Sequence, residues 1–203
     1  MRKLGKGGPG GPHSETLEAL ATELFAPDEF VLLRSIARTE PLDYDELVDF
    51  DKSIGGAGLA WVQRREDDPF EPYEIVDRDV FRPLQYCEAY FQMDPDDAEW
   101  LTRALVEMSC AHIEALLKRI AGLPLVPYGS ALFNWAVRRR LATQTFEHLK
   151  RFGIIYSSAK HDFNHAASTH RFSMPDAVLA YVIARRLATE LYALANLRTS
   201  LDS

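Results

Sequence analysis

Apolar positions recur at three- and four-residue steps along most of this 203-residue chain, and that period predicts helices nearly throughout. The clearest signal begins at Asp94, which can cap a helix. Pro95 suits its first turn, and Asp96, Asp97 and Glu99 complement the positive end of the helix dipole. Leu101, Leu105, Met108, His112 and Ala115 then form one buried stripe, and Gly122 with Pro124 behind it supplies the stop. A second helix is predicted from Ser130 to Gly153, with Phe133, Val137, Leu141, Leu149 and Phe152 inward and Lys150 and Arg151 complementing its negative end. The last and most amphipathic helix opens at Ser173-Met174-Pro175-Asp176, a capping-box-like arrangement, and runs to about Arg198. Tyr181, Ala184, Ala188, Leu191 and Ala195 lie on its stripe, widened by Ile183, Leu187 and Leu194, while Arg185, Arg186 and Glu190 are expected to face outward.

Upstream, residues 14–25, 27–38 and 78–91 carry shorter helical patterns, with Leu17, Leu20 and Leu24 or Phe30, Leu33 and Ala37 as partial stripes. Residues 51–77 break the period. Ile54-Gly55-Gly56-Ala57-Gly58 interrupts it, Glu66 to Pro72 reads as an acidic loop, and a small hairpin pairing 59–64 with 73–77 is an alternative. The expected fold is all-α, an up-and-down helical bundle with a small hairpin or irregular insertion at about 51–77. The expected organisation is a disordered tail (1–13), an N-terminal helical extension with the acidic insertion (14–93) and a helical bundle (94–203).

Length and composition narrow the class. A chain of this size buries about 70% of its unfolded surface and folds without staples. Cys87 and Cys110 are too few and too far apart for a disulfide framework, there is no C-x-x-C pair, and both read as buried thiols in a reducing compartment. The glycine-rich start has no apolar core of a signal peptide, and no stretch approaches the roughly 20 apolar residues of a membrane span. The expectation is a soluble cytoplasmic protein with no membrane partner and no implied cofactor.

The net charge of -7 is unevenly spread: residues 14–133 hold 10 Lys/Arg against 25 Asp/Glu, and residues 134–198 hold 10 against 4. An acidic whole argues against nonspecific nucleic-acid coating. The basic segment leaves two readings, a surface that meets RNA or a segment that pairs with the acidic one inside the fold. Arg138, Arg139 and Arg140, with Arg171, are the candidate nucleic-acid contacts; a basic triplet on a helix is more often solvent-facing.

Candidate chemistry concentrates in one run, because His161, His165 and His170, half of the six histidines, fall within ten residues. Histidine exchanges protons near neutral pH, and its neutral ring binds metals. On a helix Ser157, His161 and His165 share a face with Tyr156 and Lys160 beside them, whereas Ala159, Phe163 and Ala166 point elsewhere as anchors. His112, alone on an apolar stripe, reads as a hydrogen-bonded core residue.

A long helix pair, the segment Tyr156-Ser157-Ser158-Ala159-Lys160-His161-Asp162-Phe163, a polar turn and a closing helix together resemble the HEPN superfamily over roughly residues 94–198. The resemblance implies a helical bundle that often dimerises, and a metal-independent endoribonuclease of toxin or antiviral defence systems. That family's signature is an arginine, four to six residues, then histidine. This chain departs from it: Lys160 precedes His165 with four residues between, and Arg151 precedes His161 with nine. The resemblance thus places His161 or His165 in the histidine position, Lys160 as the spaced cation and Tyr156 beside them. It also implies a homodimer, RNA as substrate and a cognate protein partner such as an antitoxin.

Two other classes remain. His161 and His165 form an H-x-x-x-H pair, with His170 as a third donor, which suits a metal-binding hydrolase, although Asp162 stands where the familiar zinc motif has glutamate. Alternatively, the chain is a noncatalytic HEPN-like binding or structural module whose acidic loop at 66–71 meets a basic partner. Trp61, Trp100 and Trp135 read as core or interface anchors, and neither glycine cluster has the order of a phosphate loop.

Overall fold

A computed structural model describes residues 12–54, 74–93, 101–121, 141–161 and 172–199. These residues form seven helices and no strand: α1 (Pro12–Leu24), α2 (Pro27–Arg38), α3 (Tyr44–Ser53), α4 (Glu74–Phe91), α5 (Thr102–Ala121), α6 (Thr143–His161) and α7 (Met174–Thr199). The described residues therefore form the all-α bundle expected from the period.

Local chemistry explains the helix starts. Pro27 opens α2, and the Glu29 carboxylate reaches back to accept from the Ala26 N–H at 2.8 Å. Asp43 caps α3 by accepting from the Glu46 N–H at 3.0 Å. At α7 the capping box read from the sequence is present: the Ser173 N–H and hydroxyl both donate to Asp176 Oδ2, at 2.7 and 2.8 Å, and the Asp176 N–H donates back to Ser173 Oγ.

α7 is the hub. It packs most extensively on α5 and also meets α1, α2 and α6, while α5 in turn supports α4 and α6. Every residue from 177 to 184 is buried, so this stretch of α7 is enclosed on all sides rather than laid with one face on a core. Here the stripe read from the sequence is buried as expected as far as Leu191, but the outward face is not where it was placed. Arg185, expected outward, is 9% exposed and directed inward, and Arg186 is partly buried. Guanidinium is tolerated there because Asp51 of α3, fully buried itself, accepts from Arg185 Nε at 2.9 Å and Nη2 at 2.6 Å. Residues from 14–93 and from 94–203 contribute to one hydrophobic core, including Leu20, Leu33, Leu84, Ile113, Phe152 and Ile183.

Other boundaries also move. The helix expected over 130–153 is not continuous, since Leu141 and Ala142 are non-helical; α6 begins at Thr143 and runs through Gly153 to His161. A glycine inside a helix costs about 1 kcal/mol. The apolar stripe continues past it at Ile155, Tyr156 and Ala159, all buried, and their burial outweighs that cost. Lys150 and Arg151 therefore sit in mid-helix rather than at its negative end, and Arg151 forms a forked ion pair with Glu23 of α1. α3 was not foreseen. Within the proposed hairpin, residues 74–77 are helical, and residues 59–64 lie outside the described segments.

The charge asymmetry is used inside the fold. Glu23 and Asp51 from the acidic part hold Arg151, His148 and Arg185 from the basic part, which is the intramolecular reading of the uneven charge. Cys87 and Cys110 are free and buried. Burial pushes the Cys87 thiol up to about 12, and Cys110 lies well above the ordinary thiol range for the same reason, so neither offers a thiolate near neutral pH. Among the described residues no helix is long and apolar enough to cross a membrane.

Candidate functional site

Two pairs of side chains, each one helical turn apart, face one another where α5 and α6 pack. On α5 these are Glu114 and Lys118; on α6 they are Tyr156 and Lys160. The Tyr156 hydroxyl donates to Glu114 Oε2 at 2.6 Å, and Lys118 Nζ lies 2.6 Å from Glu114 Oε1. The Lys160 ammonium sits over the Tyr156 ring, 5.2 Å from its centroid. Burial pulls the Glu114 carboxyl upward, but the bonds from Lys118 and Tyr156 and the charges of both lysines outweigh it and hold the group below its ordinary range. Burial, then the bond to Glu114, pushes the Tyr156 phenol well up. Tyr156 is accordingly a hydrogen-bond donor here and not a base.

Arg103 of α5 fixes the end of α6. Its Nε donates to the Ala159 carbonyl at 2.8 Å and its Nη2 to the Ser158 carbonyl at 3.0 Å, two acceptors in a last turn that a helix leaves without intrahelical partners. Replacing Arg103 with methionine should remove about 1–3 kcal/mol of local stability. Amide hydrogen exchange in residues 158–161 should then speed up at least about tenfold while amides in the middle of α7 keep their protection. Unchanged exchange at 158–161 would show that the clamp holds nothing.

Of the site residues read from the sequence, the structure brings Tyr156 and Lys160 together on the last turns of α6, and His161 is that helix's final residue. Ser157, on the predicted polar face, is exposed. His165, His170, Arg171, the triplet Arg138, Arg139 and Arg140, and the acidic loop at 66–71 lie outside the described residues. Among the described residues no three His, Cys, Asp or Glu side chains gather as metal ligands would.

A second polar group, buried in the core, was not legible. Besides the Asp51–Arg185 pair it holds Tyr181, whose hydroxyl donates to Glu88 Oε1 at 2.7 Å, and half-buried Tyr44, whose phenol is raised by burial and by the charges of Glu88, Asp45 and Asp51. The Tyr181 stripe position foretold burial but not its partner. Nearby, His112 behaves as its place on the α5 stripe implied: fully enclosed, it donates through Nδ1 to the Val80 carbonyl at 2.7 Å. Burial lowers its pKa to about 4, so the ring is neutral and Nδ1 carries the proton. His148, also buried, meets Glu23 Oε2 at 3.1 Å through Nε2. Compared with protein families, curated proteins and solved structures, the chain matches none.

Proposed function

We propose that the chain is a HEPN-like helical protein that engages RNA at the end of α6 and cleaves it without a metal. The observation that carries this reading is the last turn of α6, where an exposed Lys160 is seated on Tyr156 directly before His161. In the reaction, one of His161 and His165 takes the proton from a ribose 2′-hydroxyl as that oxygen attacks the adjacent phosphorus. A second histidine protonates the departing 5′ oxygen, and two copies in a homodimer can supply the pair. Each such role is worth about 10²–10⁴ in rate. Lys160 opposes the charge that builds on the phosphorane oxygens. It does so as a flexible point charge rather than as the planar fork of an arginine, so the stabilisation is less directional. The setting we propose is the cytoplasm, in a toxin or antiviral system with a cognate protein partner.

Purified protein incubated with total RNA in excess chelator tests the reading. We expect cleavage that falls about 10²-fold or more when His161 and His165 are both replaced by alanine. Absence of cleavage, or cleavage indifferent to those replacements, removes it. One observation favours the noncatalytic alternative: the Tyr156 hydroxyl is already committed to Glu114, which makes Tyr156 part of the scaffold of a binding surface. Under that alternative the surface serves another protein and RNA stays intact.

A further inference from the structure

We infer that Glu114 is a positioning residue for Lys160, acting through the Tyr156 ring, and that it fixes where the cation stands for an RNA phosphate; the phosphate part of this inference rests on the reading just given. Glu114 lies on α5 and Lys160 on α6, so nothing in the local sequence of either helix links them. The link is the aromatic ring. Glu114 Oε2 accepts from the Tyr156 hydroxyl at 2.6 Å and anchors the far end of the ring. The ring face supports the Lys160 ammonium at 5.2 Å.

Both oxygens of Glu114 are occupied, one by Tyr156 and the other by Lys118. The carboxylate therefore acts on Lys160 in two ways, by tethering the ring beneath it and by the attraction between their charges, and Lys118 shares that charge. A lysine side chain in water samples many rotamers and loses about 2 kcal/mol of entropy when held in one. Seating it on a tethered ring removes part of that cost before any ligand arrives. Arg103 adds the second constraint by clamping the Ser158 and Ala159 carbonyls, so the backbone that carries Lys160 is held from α5 as well. Ring and backbone both being tied to α5, the ammonium has a defined place relative to the backbone at the end of α6.

The test separates placement from catalysis. Lysines are reductively dimethylated with ¹³C, which keeps their charge, and the Lys160 signal is identified by its loss in Lys160→Arg. In the unaltered protein the Tyr156 ring should displace that signal upfield of the other lysines. Tyr156→Phe, which removes only the hydroxyl, and Glu114→Gln should each return it toward them. Both variants should also slow cleavage of a single-stranded RNA oligonucleotide in chelator about tenfold, as expected when a charged group is misplaced. Lys150→Met, elsewhere on α6, should alter neither reading. A Lys160 signal that coincides with the other lysines in unaltered protein, or that stays displaced in both variants, overturns the inference. If the two shifts occur and unaltered protein cleaves no RNA, the tether stands and the ribonuclease reading falls.

Discussion

Asp51→Ala should destabilise the protein by about 3–5 kcal/mol, because it leaves the guanidinium of Arg185 inside the fold with its carboxylate removed. The pair bridges α3 to the central helix, Asp51 is wholly buried, and the fork geometry satisfies two guanidinium donors at once. An exposed ion pair such as Lys52–Asp49 is by contrast worth well under about 1 kcal/mol. Replacing both members, as in Asp51→Leu with Arg185→Met, should recover most of the loss, since a buried pair roughly breaks even against apolar residues of similar volume. Urea unfolding of Asp51→Leu, Arg185→Met and the double variant at neutral pH, beside Asp51→Ala, measures the coupling. A cost below about 1 kcal/mol for Asp51→Ala would mean that the guanidinium finds water or another partner.

The second large effect is a loss of stability in mild acid. His112 has a folded pKa of about 4 against an ordinary value near 6.5, so between those limits the unfolded chain binds more protons than the folded one. Stability contributed by this group is complete above about pH 6.5 and declines as pH falls to about 4, by about 3 kcal/mol in total. Its cause is burial first, with the charge of Arg185 acting in the same direction and the bond to Val80 opposing both. His112→Asn, which can still donate to the Val80 carbonyl, should flatten this part of the profile. Glu23 and Glu114 have lowered pKa values, so their contributions are present above the ordinary carboxylate range and disappear at lower pH still. Unfolding free energies measured from pH 7 to pH 4 would contradict the assignment if the His112→Asn slope matched that of the unaltered chain.

How far the sequence could be read follows from what each residue depends on. Helices with local signals were legible: the Ser173 and Asp176 cap and the α5 stripe through Leu105 and His112 arise within a few residues of themselves. Arg185 was misplaced because outward is the default for arginine on a helix; only Asp51, 134 residues away in a helix that was not foreseen, reverses it. Gly153 suggested an end to α6, yet the next apolar turn outweighed that local signal. At the candidate site, Tyr156 and Lys160 were visible as an i, i+4 pair, but Glu114, Lys118 and Arg103 were not, since their roles exist only once α5 lies against α6.

The chemistry proposed for α6 leaves a specific trace on its product. Attack by a 2′-hydroxyl forms a bond from that oxygen to phosphorus as the bond to the 5′ oxygen breaks, so the fragments end in a 2′,3′-cyclic phosphate and a 5′-hydroxyl. Mapping the ends of an oligonucleotide cut in excess chelator, beside a copy with a single 2′-deoxy nucleotide at the cut, is the most direct measurement. The account predicts cyclic phosphate ends and no cutting at the deoxy position. An uncut ribo-oligonucleotide, or 3′-hydroxyl and 5′-phosphate ends, would contradict it.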